Sequence, residues 1–529
     1  MDRTWAPTEN PSATVVPGKM RSDREEVPGG FSKADADKAE TMEARTRSQT
    51  TAFAAPGCQV YWPSPYEVCG AIKDKYNSLG GPNSFLLWPT SNEILNPDGV
   101  GAHSTFTNGP IYWSSWGGAH PVANHFFAAW QRHGWEAGYL GYPLTDEIPA
   151  ANGGLRQEFD GAGIYWHLNE AYAIGGAIRD KWNIVGAEGG PLGYPSSDEL
   201  SVAKYNGRYN NFENGTVTWS GQTGSLLLYG AIRDRWAQLG REDGALGYPL
   251  ADEQAAGIAH FADFENKSTI WWTALTGAHD VPEFVIAPWR TAGAQDGDLG
   301  YPVTGPLTPA QNTAGITLQQ VFQNGIVSLI GAERALIGTY DPTPDPFPEP
   351  DPPQQTQRAP QANTWPPPDV PSDYPTDEVV GGATNPAHPD YGEMQIRQGF
   401  YSGAWGLGFG QDKAEHKHQL RLVESIEFLL ESRFYGPRSD PLLPGTDFWG
   451  RAMDLFCHTG WGGQECEEQQ YRIAHAIYDP TNYETYHEAP GPFEPIGLVT
   501  AYCGGGNTPL SGTAICDSWV DSAFMNPVN

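Results

Sequence analysis

One spacing constrains this chain more than any other feature. Leu-Gly-Tyr-Pro stands at 140–143, 192–195, 246–249 and 299–302, with Leu87-Trp88-Pro89 as a degenerate first copy, so the anchoring prolines fall 54, 52, 54 and 53 residues apart. A tetrapeptide returning at one period over five copies specifies a repeat architecture. An aromatic residue precedes each anchoring proline by 13 positions: Tyr76, Trp130, Trp182, Trp236 and Trp289. In Gly176-Ala177-Ile178-Arg179-Asp180-Lys181-Trp182 the Ile and Trp are four apart with charges between them, the pattern of a short helix with one buried face. A third landmark follows the proline: Phe106, Phe159, Phe212 and Phe264 each precede by seven a tryptophan, Trp113, Trp166, Trp219 and Trp271, whereas Phe322 precedes Leu329. Asn108-Gly109 and Asn214-Gly215 read as hairpin turns leading into strands. Each unit is therefore expected to be a short helix, a Gly-Tyr-Pro turn and one or two strands.

Such a unit cannot bury its Ile and Trp alone, so the five must stack. A closed ring is favoured, because Gln59-Val60-Tyr61-Trp62 looks like the last strand of a unit whose front half is missing and could complete the fifth, as propellers do to remove their edges. The fold class expected is mainly β with short helices: a five-repeat closed, propeller-like ring over 56–340, a Pro-rich linker over 341–375 and a small α+β domain over 376–529. The composition agrees, since 63 Gly, 46 Pro and 19 Trp describe a loop-rich, aromatic chain rather than a helical bundle. Residues 1–55 mix eight basic and nine acidic residues without a lasting period and are expected to be a disordered arm. The linker holds 13 prolines, and at about 3.1 Å per residue it could keep its neighbours roughly 100 Å apart. In the last segment a helix is expected over 420–433, with strands near 448–458, 470–478 and 496–502.

With 31 Lys plus Arg against 63 Asp plus Glu the net charge is -32, which disfavours duplex DNA and anionic lipid surfaces. No run of about 18 apolar residues is present, so no membrane insertion is expected. Six cysteines fall as near neighbours, Cys58/Cys69, Cys457/Cys466 and Cys503/Cys516, an even count with short loops that suits disulfides in an oxidising compartment. A secreted protein is expected on that ground. The first 30 residues lack the apolar core of a signal peptide, although Ala52-Phe53-Ala54 has the look of a cleavage site.

The strings Gly-Ala-Ile-Arg-Asp-Arg-Trp (230–236), Leu-Gly-Tyr-Pro-Leu-Ala-Asp-Glu (246–253) and Phe-x-Asn-Gly-x-x-x-Trp together resemble the LGFP repeat of actinobacterial cell-envelope proteins, over about 285 of 529 residues. The resemblance implies a five-repeat ring that attaches an exported, envelope-associated protein to wall polysaccharide, arabinogalactan being the expected ligand. Catalytic partners are common beside such repeats, but no Gly-x-Ser-x-Gly elbow is present, which excludes a mycolyltransferase. Neutral sugars stack on aromatic rings and offer hydroxyls to carboxylates and amides. The carbohydrate-binding candidates recurring once per unit are Trp113, Trp166, Trp219 and Trp271, the pairs Asp146-Glu147, Asp198-Glu199 and Asp252-Glu253, and His120 and His279 of two Gly-Ala-His strings. The first copy has Asn92-Glu93 and the fifth Gly305-Pro306, so at most four equivalent sites are expected. The Gly-Tyr-Pro tyrosines and the helix tryptophans read as core, and the acidic pairs could equally tie down a turn.

In the last segment, Gly408-Phe409-Gly410-Gln411-Asp412-Lys413 leads to His416-Lys417-His418, and a final strand reads Gly497-Leu498-Val499-Thr500-Ala501-Tyr502. Both resemble elements of the barnase, EndoU, colicin and RelE group of secreted ribonuclease toxins. That resemblance implies metal-free RNA cleavage with catalytic His418 as base or acid and Lys413 and Thr500 at the phosphate, and an immunity protein as partner. Against it, residues 379–529 hold 8 basic and 19 acidic residues, the reverse of what RNA attracts. Two further readings stand beside it: a metal site built on His416 and His418 with His458, His475 or a glutamate, and a noncatalytic, disulfide-braced interaction domain. A glycosidase would need two carboxylates, which the sequence cannot nominate among 19 acids. No cofactor and no metal are expected, and the protein is expected to be a monomer.

Overall fold

The computed structural model describes residues 14–48, 57–309, 315–339 and, with short interruptions, 375–524. The chain divides into two compact units, Met1–Gly230 and Ala231–Asn529.

The first unit opens on a segment expected to be a disordered arm. It carries a 16-residue helix instead, α1 (Lys33–Ser48). Its composition is polar, yet Ala36 and Ala39 are fully buried against Val60 and Trp62. Glu43 accepts the Trp62 backbone N–H at 3.1 Å, and the Arg21 guanidinium lies 3.8 Å over the Trp62 ring. What orders the segment is tertiary burial of a narrow alanine stripe, which propensity alone does not report. Strand Cys58–Tyr61, expected to complete the fifth copy, pairs with its own neighbour Ser64–Cys69, and the Cys58–Cys69 disulfide joins directly opposed residues.

Three copies follow in this unit, each with a four-stranded antiparallel sheet in chain order. In the first the strands are Ile94–Leu95, Ala102–Phe106, Gly109–Ser114 and Gly118–Pro121. This exceeds the one or two strands expected, because the stretch leading into each helix and a short edge after each turn also pair. Helices α2 (Gly70–Ser78), α3 (Asn124–Arg132) and α4 (Gly176–Ile184) precede the anchors, and Ile178 and Trp182 form the buried face of α4. The constant offset of 13 has a physical cause. The indole Nε1 of Trp130 donates to the Gly141 carbonyl at 3.1 Å and that of Trp182 to Gly193 at 3.0 Å, and in the degenerate first copy the Tyr76 hydroxyl donates to Leu87. The anchoring proline in turn bridges the downstream phenylalanine: Pro89 to Phe106, Pro143 to Phe159, Pro195 to Phe212. The anchor glycine is required twice over, since Gly141 sits at φ 67° and a Cβ there would come within 2.7 Å of Asp160.

Successive copies are stapled by a buried amide two residues before the bridging phenylalanine. Gln157 Nε2 donates to Pro121 O of the preceding sheet and Thr145 O of its own turn, at 2.9 and 2.8 Å. Asn210 repeats this with Ala173 O and Ser197 O. Both side chains are wholly buried; their amide nitrogens are bonded while their amide oxygens have no protein partner.

The second unit holds the fourth and fifth copies and the last segment. Trp236 on α5 (Gly230–Gln238) and Trp289 on α6 (Glu283–Thr291) repeat the anchor bond, to Gly247 and Gly300. The fourth copy forms its own four-stranded sheet. The fifth does not end there: strands Leu318–Phe322, Gly325–Ile330 and Arg334–Thr339 continue into Thr446–Gly460, Gly463–Asp479 and Gly497–Gly506 as one antiparallel sheet. The edge that a strand from the chain start was expected to cover is covered by Thr446–Gly460, and no closed ring or barrel forms among the described strands. The Pro-rich linker lies mostly outside the described residues, but its flanks meet in this sheet, locked by Arg334 on Asp454 at 2.8 and 3.0 Å.

The expected helix and strands of the last segment are present, the helix as α8 (Val423–Leu430). Two further helices, α7 (Gly410–His418) and α9 (Ser518–Phe524), flank the sheet. The Cys457–Cys466 disulfide crosses the long hairpin and Cys503–Cys516 ties the last strand to the approach to α9, so all three pairings follow the near-neighbour pattern.

Candidate functional site

The tryptophans proposed as sugar platforms are not freely exposed. Trp113, Trp166 and Trp219 are half-buried, each packed on the core of its own sheet, and Trp271 is only 7% exposed. Trp271 is also out of register. Across the sheet Trp113 faces Ala119 and Tyr112 faces His120, whereas Trp271 faces His279 and Trp272 faces Ala278. The structural counterpart of Trp113 is therefore Trp272. The turn Glu265-Asn266-Lys267-Ser268 adds one residue, and a one-residue shift in a strand moves a side chain to the opposite face. Comparing turn lengths between copies would have revealed this.

The acidic pairs separate into two roles. The first carboxylate of a pair is locked. Asp146 receives His120 Nδ1 at 2.7 Å and the Lys75 ammonium from α2. Asp198 receives Arg132 Nε at 3.0 Å and the Ala173 N–H at 2.8 Å, with His133 Nε2 3.1 Å away. Burial pushes both carboxyls up, but the bonds from His120 and Lys75, and from His133 and Arg132, outweigh it and hold both below the usual range. These aspartates join a copy to the one before it. The second carboxylate points to the surface: Glu147 is half-buried and Glu199 exposed, with Arg208 3.4 Å from Glu199. Burial raises both pKa values. In the fourth copy Asp252 and Glu253 are both half-buried residues, the Glu253 side chain being largely covered 3.1 Å from His260.

The second ring nitrogen of His120 faces Gly117 O at 2.9 Å, so both of its nitrogens are engaged within the protein. His279 makes the matching contact, Nε2 to Thr276 O at 2.7 Å, but Gly305 stands where an aspartate would face its Nδ1. Sequence reasoning also missed a second row of carboxylates just after the bridging phenylalanine. Asp160, Glu213 and Glu265 accept the N–H of the anchor tyrosine, at 2.9, 3.3 and 3.0 Å. Trp116, 55% exposed, donates its Nε1 to Asp160 at 2.8 Å, and His167 Nδ1 meets Glu213 at 2.7 Å.

In the last segment, α7 packs against the final strand, so Lys413 lies on a helix beside the strand that carries Thr500. Thr500 is 2% exposed and its hydroxyl is buried without a bonding partner. The side chain of His418, the last residue of α7, lies outside the described residues. His475 is buried with Nδ1 3.0 Å from Asp447 and its ring stacked on Tyr502, while His416 and His458 are exposed. Among the described residues no group of three or more His, Cys, Asp or Glu is arranged to hold a metal, and no helix is long and apolar enough to cross a membrane.

No curated protein matches the chain. Four segments match the LGFP repeat: 86–138, 140–190, 192–244 and 246–297. Each match begins at or beside an anchor leucine and runs through the following helix, so α2 and the fifth anchor are the incomplete ends of this frame. The chain accordingly carries LGFP repeats over residues 86–297.

Proposed function

We propose that this is an exported, cell-envelope protein whose LGFP repeats bind wall polysaccharide, arabinogalactan being the expected ligand. The observation that carries the reading is the fourfold match to the LGFP repeat, a cell-wall-associated module. Three disulfides fit an oxidising compartment. Glu147 and Glu199 recur at one position of successive copies and each copy also carries a half-buried tryptophan, the kinds of group that hydroxyls and sugar C–H faces use. Asp146, Asp198 and His120 serve the joints between copies and are not part of the proposed contact surface. Cosedimentation of the full chain with mycolyl-arabinogalactan-peptidoglycan sacculi tests this: removal of the arabinogalactan should abolish binding, and equal binding to bare peptidoglycan would exclude that ligand.

For residues 376–529 we favour a noncatalytic, disulfide-braced module. Its sheet extends the fifth copy, and the Thr500 hydroxyl is buried away from any phosphate. The packing of α7 on the final strand supports a second reading as a metal-free ribonuclease toxin with an RNA substrate and an immunity protein. Incubation of the full chain with total RNA and EDTA separates them. Cleavage that His418→Ala abolishes would establish the enzyme, and intact RNA would exclude it.

A further inference from the structure

The fifth copy lacks both carboxylates that the second, third and fourth copies spend on structure. Three residues past the anchoring proline, Asp146 and Asp198 fill the joint to the preceding copy; the fifth copy has Gly305. The helix cation that would meet an aspartate there, Arg235 on α5, turns to Asp280, with Nε at 2.9 Å and Nη2 at 2.6 Å. His279 Nδ1 is left without a protein partner among the described residues. A cleft of about 510 Å³ opens here, lined by His279, Gln238, Asp234, Val303 and Gly305.

The second place lies just after the bridging phenylalanine. Gln323 Oε1 accepts the Tyr301 N–H at 3.1 Å, doing what Asp160, Glu213 and Glu265 do elsewhere, but as a neutral amide with its Nε2 to spare. In the second copy Trp116 closes over Asp160. Its counterpart here, three residues after Trp272, is Leu275, which cannot bond the amide and is 82% exposed. A second cleft of about 650 Å³ opens beside it, lined by Leu275, Gln295, Gln323 and Asn324, and it shares Val303 with the first. Asn324 is a third departure. Asn108, Asn214 and Asn266 spend their Nδ2 on backbone carbonyls, and no such bond is formed by Asn324 among the described residues.

We propose that these two adjoining clefts form a subsite for an uncharged oligosaccharide at the joint between the fourth and fifth copies. Amide groups are both donors and acceptors, which matches hydroxyls and gives no preference for a charged ligand. The exposed Leu275 and Val303 supply apolar surface for C–H edges. In a chain of net charge -32, the carboxylates that stand at these two positions in the second, third and fourth copies are here Gly305 and Gln323. The subsite rests on the wall-binding reading but reverses the sequence expectation, because these clefts open beside a copy that lacks the acidic pair.

The test uses the full chain and two probes, a neutral galactan oligosaccharide and a neutral arabinan oligosaccharide, titrated separately by calorimetry. Gln323→Glu keeps the acceptor for Tyr301 and copies what the third and fourth repeats already tolerate, so the fold should survive, as circular dichroism will report. It should weaken binding of one probe by roughly 2- to 10-fold, the value of one hydrogen bond. The double change Leu275→Trp with Gln323→Asp installs the closure of the second copy and should remove that binding altogether. Undiminished binding by the closed variant overturns this subsite while leaving the wall-binding reading intact. Failure of the parent chain to bind either probe also overturns the subsite, and sacculus cosedimentation then judges the wider reading by itself.

Discussion

Replacing Trp182 by Phe isolates the bond that sets the period of the repeat. The indole is fully buried, edge-on to Tyr165 with centroids 4.7 Å apart, and its Nε1 donates to the Gly193 carbonyl at 3.0 Å. Phe keeps most of the ring and removes the donor, leaving a buried carbonyl short of a partner at a cost of about 1–3 kcal/mol. The smaller ring leaves a cavity worth roughly a further 1 kcal/mol. The expected loss is therefore about 2–4 kcal/mol, read as a lower midpoint at unchanged slope in urea unfolding followed by far-UV circular dichroism. Trp166→Phe is the internal comparison. Its Nε1 is buried with no partner, so removing it relieves an unmet donor and the change should stay within about 1 kcal/mol. If Trp182→Phe costs no more than Trp166→Phe, the bond does not hold the anchor and the physical account of the offset fails.

Asn210→Ala should cost about 1–3 kcal/mol in the same assay, since it unmakes two bonds to buried carbonyls at a joint between copies while also removing an amide oxygen that has no partner, and Gln157→Ala should behave alike. Asp198 is held below its ordinary pKa in the folded chain, so its contribution is present above about pH 4, the unfolded value, and fades as pH falls through the folded one; Asp198→Asn should remove that part of the acid sensitivity, measured as midpoint against pH. Glu199 is raised by burial, which reverses the sign: its ionisation opposes folding above its folded pKa, and Glu199→Gln should raise stability at neutral pH. Thr500→Val matches the shape of a buried hydroxyl without a partner and should leave stability unchanged or raise it by up to about 1 kcal/mol, with a loss of more than that refuting the buried placement.

How much of this was legible in the sequence depends on the distance over which each feature is determined. The anchor, the helix aromatic and the bridging phenylalanine could be read because side-chain-to-backbone bonds within one unit fix their offsets. The disulfides were legible for the same reason, their partners being close along the chain. The fate of the carboxylates was not, because Asp146 is paired with Lys75 from the previous copy, 71 residues away, and nothing local distinguishes it from Glu147. Trp271 was misplaced because one added residue inverts a period of two. Helix α1 escaped notice because its buried stripe consists of alanines, and the covering of the fifth copy by Thr446–Gly460 because its partner lies beyond the linker. The meaning of Gly305-Pro306 emerged only when the joint that an aspartate fills elsewhere was seen to be open.

The central claim is that an acidic chain holds an uncharged wall polymer through hydrogen bonds and apolar contacts. Calorimetric titration of the full chain with soluble arabinogalactan at low and at high salt tests it most directly. Contacts of that kind are little screened, so a saturable isotherm is expected with an affinity that changes by no more than about 2-fold between the two conditions. The absence of saturable binding, or an affinity that falls steeply with salt, would contradict it.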